Sequence, residues 1–192
     1  YQLFIFISML TIGNQIPNFS GTAVIGNSLA DGFTNIDQNT YSGKWKVFFF
    51  YPKDFTFICP TEIIAFDDLN SEFAARDAQI IGVSTDSEFV HLAWKNSNLD
   101  LKNLSYPLFA DIKKELSSKL GILDADEGVA FRATYIVDPN NIIQHVSING
   151  LNVGRNPNET LRILDAAQSG ELCPCNWSKG EDTIDLSKVE AA

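Results

Sequence analysis

Histidine, methionine and cysteine are scarce in this sequence of 192 residues, at two, one and three copies. The two histidines, His91 and His145, show no ligand-like spacing, and a structural zinc site wants four ligands, so no metal site is expected. Three cysteines are an odd number, with Cys59 alone and Cys173 close to Cys175. That is not the dense, even framework of a small secreted disulfide scaffold, and it points instead to redox or catalytic use of the thiols. Basic residues are also few, fourteen Lys and Arg against twenty-four Asp and Glu, for a net charge of −10. Such a surface repels phosphate backbones and anionic headgroups, which argues against nucleic acid or membrane as a partner and favours a soluble cytoplasmic protein.

Long hydrophobic runs are lacking too. The opening YQLFIFISML is strongly apolar but far too short to span a bilayer. It also lacks the basic segment and small-residue cleavage site of a secretory signal. Residues 1–8 therefore read as an expression or upstream-translation remnant outside the fold, with an edge strand over 4–7 as the alternative. Met9, the only methionine, precedes the strand-like text LTIGNQIPNF. No repeat or low-complexity tract interrupts the chain. With 45% hydrophobic and 20% charged residues, it can bury one sizeable core, and a single domain over 9–169 is expected.

Residues 45–51 (WKVFFFY) form a near-continuous apolar and aromatic run, the pattern of a strand buried on both faces. Over 60–77, Ile63, Phe66, Leu69 and Phe73 recur at helical spacing while Asp67, Asp68, Glu72 and Arg76 take other faces, which predicts a helix laid on the sheet. QIIGVS over 79–84 is the next buried strand. Ser87 offers an N-cap for a helix to about Trp94, residues 106–109 form a short extended piece, and Ile112, Leu116 and Leu120 mark a helix closed by Gly121. Strands over 131–137 and 142–148 flank the turn-forming Asp138-Pro139-Asn140-Asn141. Asn156 then caps a last helix, with Pro157 at its first position and Glu159 reaching back. Strand, helix, strand, helix, hairpin and helix in this order is thioredoxin-like, an α/β fold with a mixed β-sheet and helices on both faces. Residues 170–192 are polar, lack apolar periodicity and hold both remaining cysteines, so they read as a mobile C-terminal tail.

In the stretch FYPKDFTFICPTE, Cys59 lies between a buried strand and a helix and directly before Pro60, which suits the first helical position. Orphan backbone N–H groups and the positive end of the macrodipole favour the thiolate there, and the thiolate is the nucleophile. Thr56, three residues earlier, has a hydroxyl that both donates and accepts. Pro52, with a fixed φ and no N–H, stiffens the loop and walls the pocket against water.

The pattern PxxxTxxC closely resembles the active-site motif of the peroxiredoxins, and FFFYPKDFTFICPTEI is similar to the alkyl hydroperoxide reductase C type, the typical two-cysteine, mycobacterial-like subgroup. The resemblance extends to GVAFRATYIVDPN, where Arg132 matches the active-site arginine, and to VGRNPNETLRILDA, where Arg155 matches a supporting one. It implies that Arg132 lies over the thiolate and that Glu62 helps to hold both arginines. It implies a thiol-dependent peroxidase acting on hydrogen peroxide and organic hydroperoxides, with no cofactor, in which Cys59 becomes a sulfenic acid.

LCPCNW matches the motif that carries the resolving cysteine, which implies that Cys173 of the partner subunit resolves Cys59 within an antiparallel homodimer, and that such dimers assemble into a ring. Cys175 departs from the common pattern and is open between a relay to the reductant, a fallback resolver and an incidental exposed thiol, with a metal-binding pair as an outsider. The reductant is a dithiol, whether thioredoxin-like, alkylhydroperoxidase D or a flavoprotein disulfide reductase. Relatives sensitive to peroxide carry a GGLG loop and a C-terminal YF motif. Here the loop reads NSNLDLKNLSYPLF and the YF motif is lacking, which implies an enzyme whose tail gives way easily. Two other functions fit the fold. A disulfide oxidoreductase wants a second cysteine where Glu62 stands, and a holdase chaperone ring would tolerate loss of Cys59.

Overall fold

The computed structural model describes residues 9–188. The expected remnant at 1–8, with its alternative edge strand, lies outside the described residues. Among them a seven-stranded sheet runs in the order β2-β1-β5-β4-β3-β8-β9. Its strands are β1 (Ser20–Val24), β2 (Phe33–Asp37), β3 (Trp45–Phe50), β4 (Ala78–Ser84), β5 (Leu108–Ala110), β8 (Arg132–Val137) and β9 (Ile143–Asn149). A two-stranded ribbon pairs β6 (Leu123–Asp124) with β7 (Val129–Ala130). Strands β3, β4 and β5 are parallel neighbours, while β8 joins β3 antiparallel. The sheet is mixed, and β3 sits inside it.

Side chains alternate between the two covered faces of the sheet, which is why β3 is apolar at every position but Lys46. Phe48 and Phe50 face one core with Ile81, Val83, Tyr135, Leu116 and Leu120. Val47 and Phe49 face the other with Ile63, Phe66, Phe73, Trp94 and Leu164. Helices thus cover both faces: α4 (Glu115–Leu120) on the first, and α1 (Cys59–Asp68), α2 (Asn70–Ala74), α3 (Glu88–Ser97) and α5 (Pro157–Ser169) on the second. Phe49 stacks on Phe66 with ring centroids 4.3 Å apart, which fastens α1 to β3. Truncating such a buried aromatic to alanine costs about 3–5 kcal/mol.

Several expectations need correction. The helix expected over 60–77 breaks at Leu69, where Glu72 and Phe73 N–H groups turn back to the Leu69 carbonyl and start α2. Ile112 is exposed and precedes α4. That helix is started instead by the Asp111 carboxylate, which accepts from the Leu116 and Ser117 backbone N–H groups, and Gly121 closes it at φ 75°. Asn156 caps α5 through the Asn158 N–H, but Glu159 pairs with Arg162 instead of reaching back. The strand-like text after Met9 makes a single bridge, Gln15 to Ile142. The β1–β2 hairpin and the β6–β7 ribbon were not anticipated.

The segment from Gly170 to Lys188 is mostly exposed, with one buried anchor. Trp177 is only 5% exposed, its carbonyl accepts from Arg162 Nη1 and its indole N–H reaches the Glu181 carbonyl. Lys179 pairs with Asp165 on α5 at 3.2 Å.

Candidate active site

The loop between β3 and α1 is anchored from beneath. Tyr51 donates its hydroxyl to Asp54 Oδ1 at 2.9 Å, and His91 Nδ1 on α3 lies 2.7 Å from Asp54 Oδ2. The Asp54 N–H donates to Asp86, whose Oδ2 also accepts from Ser84 at the end of β4. Burial pushes the Asp54 carboxyl up against the opposing pull of its His91 and Tyr51 hydrogen bonds, and burial raises Tyr51 well above the usual phenol range. Sequence reasoning missed this network. Its one signal was an acid inside an aromatic run, since a carboxylate buried there must be paired. Phe55, next in the chain, adopts φ 55°, so the loop turns sharply before Thr56.

Cys59 is the first residue of α1, with Pro60 second, and the thiol is 1% exposed. Arg132, the first residue of β8, donates Nη1–H to Cys59 Sγ at 3.4 Å and to Glu62 Oε2 at 2.6 Å. Its Nε–H is held by the Leu151 carbonyl at 2.7 Å. Arg155 reaches the same carboxylate with Nε at 2.8 Å and Nη2 at 2.9 Å, and its backbone N–H adds a third bond at 3.0 Å. Its guanidinium also bonds the Ala133 carbonyl and lies 5.4 Å from the centre of the Phe49 ring. One buried carboxylate between two buried guanidiniums leaves a net positive charge beside the sulfur. That charge, with the N–H groups of the first turn of α1, is an arrangement able to stabilise negative charge on sulfur and on an oxygen leaving it.

A pocket of about 240 Å³ brings Pro52, Thr56, Cys59 and Arg132 together, with Glu62 and Arg155 behind it. Thr56 donates its hydroxyl to the Lys53 carbonyl at 2.9 Å, which fixes its rotamer and leaves the oxygen's lone pairs available. Cys173 and Cys175 are not among the lining residues. Cys173 is half-buried against the end of α5, its sulfur 3.4 Å from Ser169 Oγ, and Cys175 is exposed. All three cysteines are free thiols. Among the described residues no cluster of His, Cys, Asp or Glu could hold a metal ion, and no helix is long and apolar enough to cross a membrane.

A thioredoxin-like sheet carrying one thiol at a helix start, with an arginine on its sulfur and an open pocket above, defines a class, the thiol-dependent peroxidases. Residues 12–146 match the AhpC/TSA family. The chain is 55% identical over 189 residues to alkyl hydroperoxide reductase C of Mycobacterium tuberculosis, covering 94% of this chain and 96% of that one. It is 51% identical over 193 residues to the protein of the same name from Mycolicibacterium smegmatis, covering 96% and 98%. The solved structure of Mycobacterium tuberculosis AhpC is similar with a TM-score of 0.81 at 56% identity, over 88% of this chain and 99% of that chain. The chain belongs to the AhpC/TSA family, as a peroxiredoxin of the alkyl hydroperoxide reductase C type.

Proposed function

We propose that Cys59 is the peroxide-reducing thiol and that Cys173 of the partner subunit resolves it. The Cys59 thiolate attacks one oxygen of ROOH, the O–O bond breaks, and the departing alkoxide takes a proton to leave as ROH, with R a hydrogen or an alkyl group. Cys59 is left as a sulfenic acid. The Cys173 thiol then condenses with it, forming the disulfide and releasing water. A dithiol reductant, whether thioredoxin-like, alkylhydroperoxidase D or a flavoprotein disulfide reductase, returns both thiols, with Cys175 as a candidate relay.

The contact from Arg132 Nη1 to Cys59 Sγ at the floor of the pocket carries this reading. As the O–O bond stretches, charge passes from sulfur to oxygen. The Arg132 guanidinium can follow it, so it binds the transition state better than the ground state, while the Thr56 oxygen, whose hydrogen goes to the Lys53 carbonyl, accepts from the O–H of the incoming hydroperoxide. Pro52 keeps water from the thiol. Glu62 and Arg155 act through Arg132, by fixing where its guanidinium lies. These roles divide the chain into a catalytic domain over 9–169 and a resolving tail over 170–192, and resolution by the partner calls for an antiparallel homodimer. The family resemblance supports a ring of such dimers, and the net charge of −10 supports a cytoplasmic setting.

Peroxide consumption tests the proposal. Cys59→Ser is expected to abolish turnover, and Cys173→Ser to abolish the disulfide-linked dimer that peptide mapping should find between Cys59 and Cys173 after one equivalent of peroxide. Turnover that survives loss of Cys59 would overturn its assignment, whereas a wild-type protein without turnover, whose chaperone action persists in Cys59→Ser, would leave a holdase ring as the better account. A disulfide confined to Cys173 and Cys175 of one chain would overturn the inter-subunit step.

A further inference from the structure

Above the thiol, the pocket walls are apolar, formed by Pro52, Phe57, Val129 and Leu151. Besides Arg132 at the floor, two ionised side chains line it, Lys53 and Glu127. They come from places 74 positions apart, the active-site loop and the turn of the β6–β7 ribbon, and meet with Lys53 Nζ 3.2 Å from Glu127 Oε2. Both backbones are held. The Lys53 carbonyl accepts the Thr56 hydroxyl, and Asp124 Oδ1 accepts from the N–H groups of Asp126 and Glu127 while the Asp124 carbonyl accepts from Gly128.

Both side chains are half exposed, and such a pair contributes no more than about 1 kcal/mol. It is too weak to be a structural lock, and its consequence is electrostatic. Deep in the site, Glu62 offsets one of the two guanidiniums, and a Cys59 thiolate offsets the other. At the rim Glu127 offsets Lys53. Asp124 and Asp126 stand on the same ribbon turn as Glu127, on a chain of net charge −10. Among the described residues, the one ammonium lining the pocket is therefore occupied by a residue of the protein itself.

We propose that the Lys53–Glu127 pair is a charge filter on the substrate: it reserves the pocket for uncharged hydroperoxides, whose organic part meets the apolar walls, and disfavours hydroperoxides bearing a carboxylate. The inference rests on the reading of Cys59 as the peroxide-reducing thiol and names the substrate class of that site. Glu127→Gln frees Lys53 to meet a substrate carboxylate.

The probe is a matched pair, a cumene hydroperoxide carrying a para-carboxylate and its methyl ester, compared by kcat/KM at low ionic strength. The ratio of acid to ester cancels any loss of activity common to both. Glu127→Gln should raise it about threefold, the size of one charge interaction near a wet surface. Adding Lys53→Gln to that variant should remove the gain, and high salt should shrink it. A ratio that does not rise in Glu127→Gln, or a gain that persists without Lys53, overturns the filter. Failure of the peroxidase reading would look different, since neither substrate would be turned over.

Discussion

Glu62 is the side chain on which the geometry at the thiol depends, because its two oxygens take both arginines. In Glu62→Gln the guanidiniums stay buried without their shared counter-charge, and breaking a buried pair from one side costs about 3–5 kcal/mol. Arg132 also loses the bond that aims it at the sulfur. Thermal melting should show that loss, and stopped-flow peroxide reduction should slow roughly a hundredfold, the usual cost of misplacing a catalytic group by about an ångström. A rate within a few-fold of wild type would mean that the Leu151 carbonyl alone orients Arg132. Residue types were legible in the sequence here, since Cys59, Thr56, Arg132, Glu62 and Arg155 stand in recognisable text. The Leu151 carbonyl and the His91–Asp54 contact were not, because a backbone acceptor has no signature and a histidine on an apolar helix face looks like any core residue.

At the scale of elements, the docking of the tail on α5 decides how accessible Cys173 is. A single indole, an arginine-to-carbonyl bond and the Lys179–Asp165 pair hold it. Burial raises the Asp165 carboxyl, but its bonds to Arg76 and Lys179 outweigh that and hold it below the usual range. Removing a buried Trp side chain costs about 3–5 kcal/mol, more than such a short segment holds in reserve. Trp177→Ala should therefore leave α5 folded by circular dichroism while maleimide labelling of Cys173 accelerates at least about tenfold. Equal labelling in both proteins would show that the tail already opens freely. Local patterning did not register the Trp177 anchor because its partners lie on a helix and not beside it in the chain. The β1–β2 hairpin was hidden for a related reason: FTNID at an edge is too polar to register as a strand, whereas β3, β4 and β8 are buried on both faces and advertise themselves.

For the molecule as a whole, stability in mild acid should fall through His145 on β9. Burial, its largest influence, holds this imidazole below the ordinary value of 6.5, with Glu159 opposing and Arg162 reinforcing. A folded-state value below the unfolded one means that protons favour the unfolded chain. The contribution is thus intact above pH 6.5 and lost as pH falls through the depressed value. His145→Gln should flatten the decline of Tm just below pH 6.5, and an unchanged slope would assign that decline to other groups.

The sheet order has one more consequence, and it concerns biosynthesis. The thiol leaves the ribosome on the loop after β3, whereas the guanidinium that touches it is 73 residues further along, and Arg155 is 93 residues beyond Glu62. Arg132 arrives only when β8 has closed against β3, and Arg155 only after β9 has followed. A nascent chain therefore carries Cys59 without the charges that equip it, and acquires its chemistry in the step that completes its sheet.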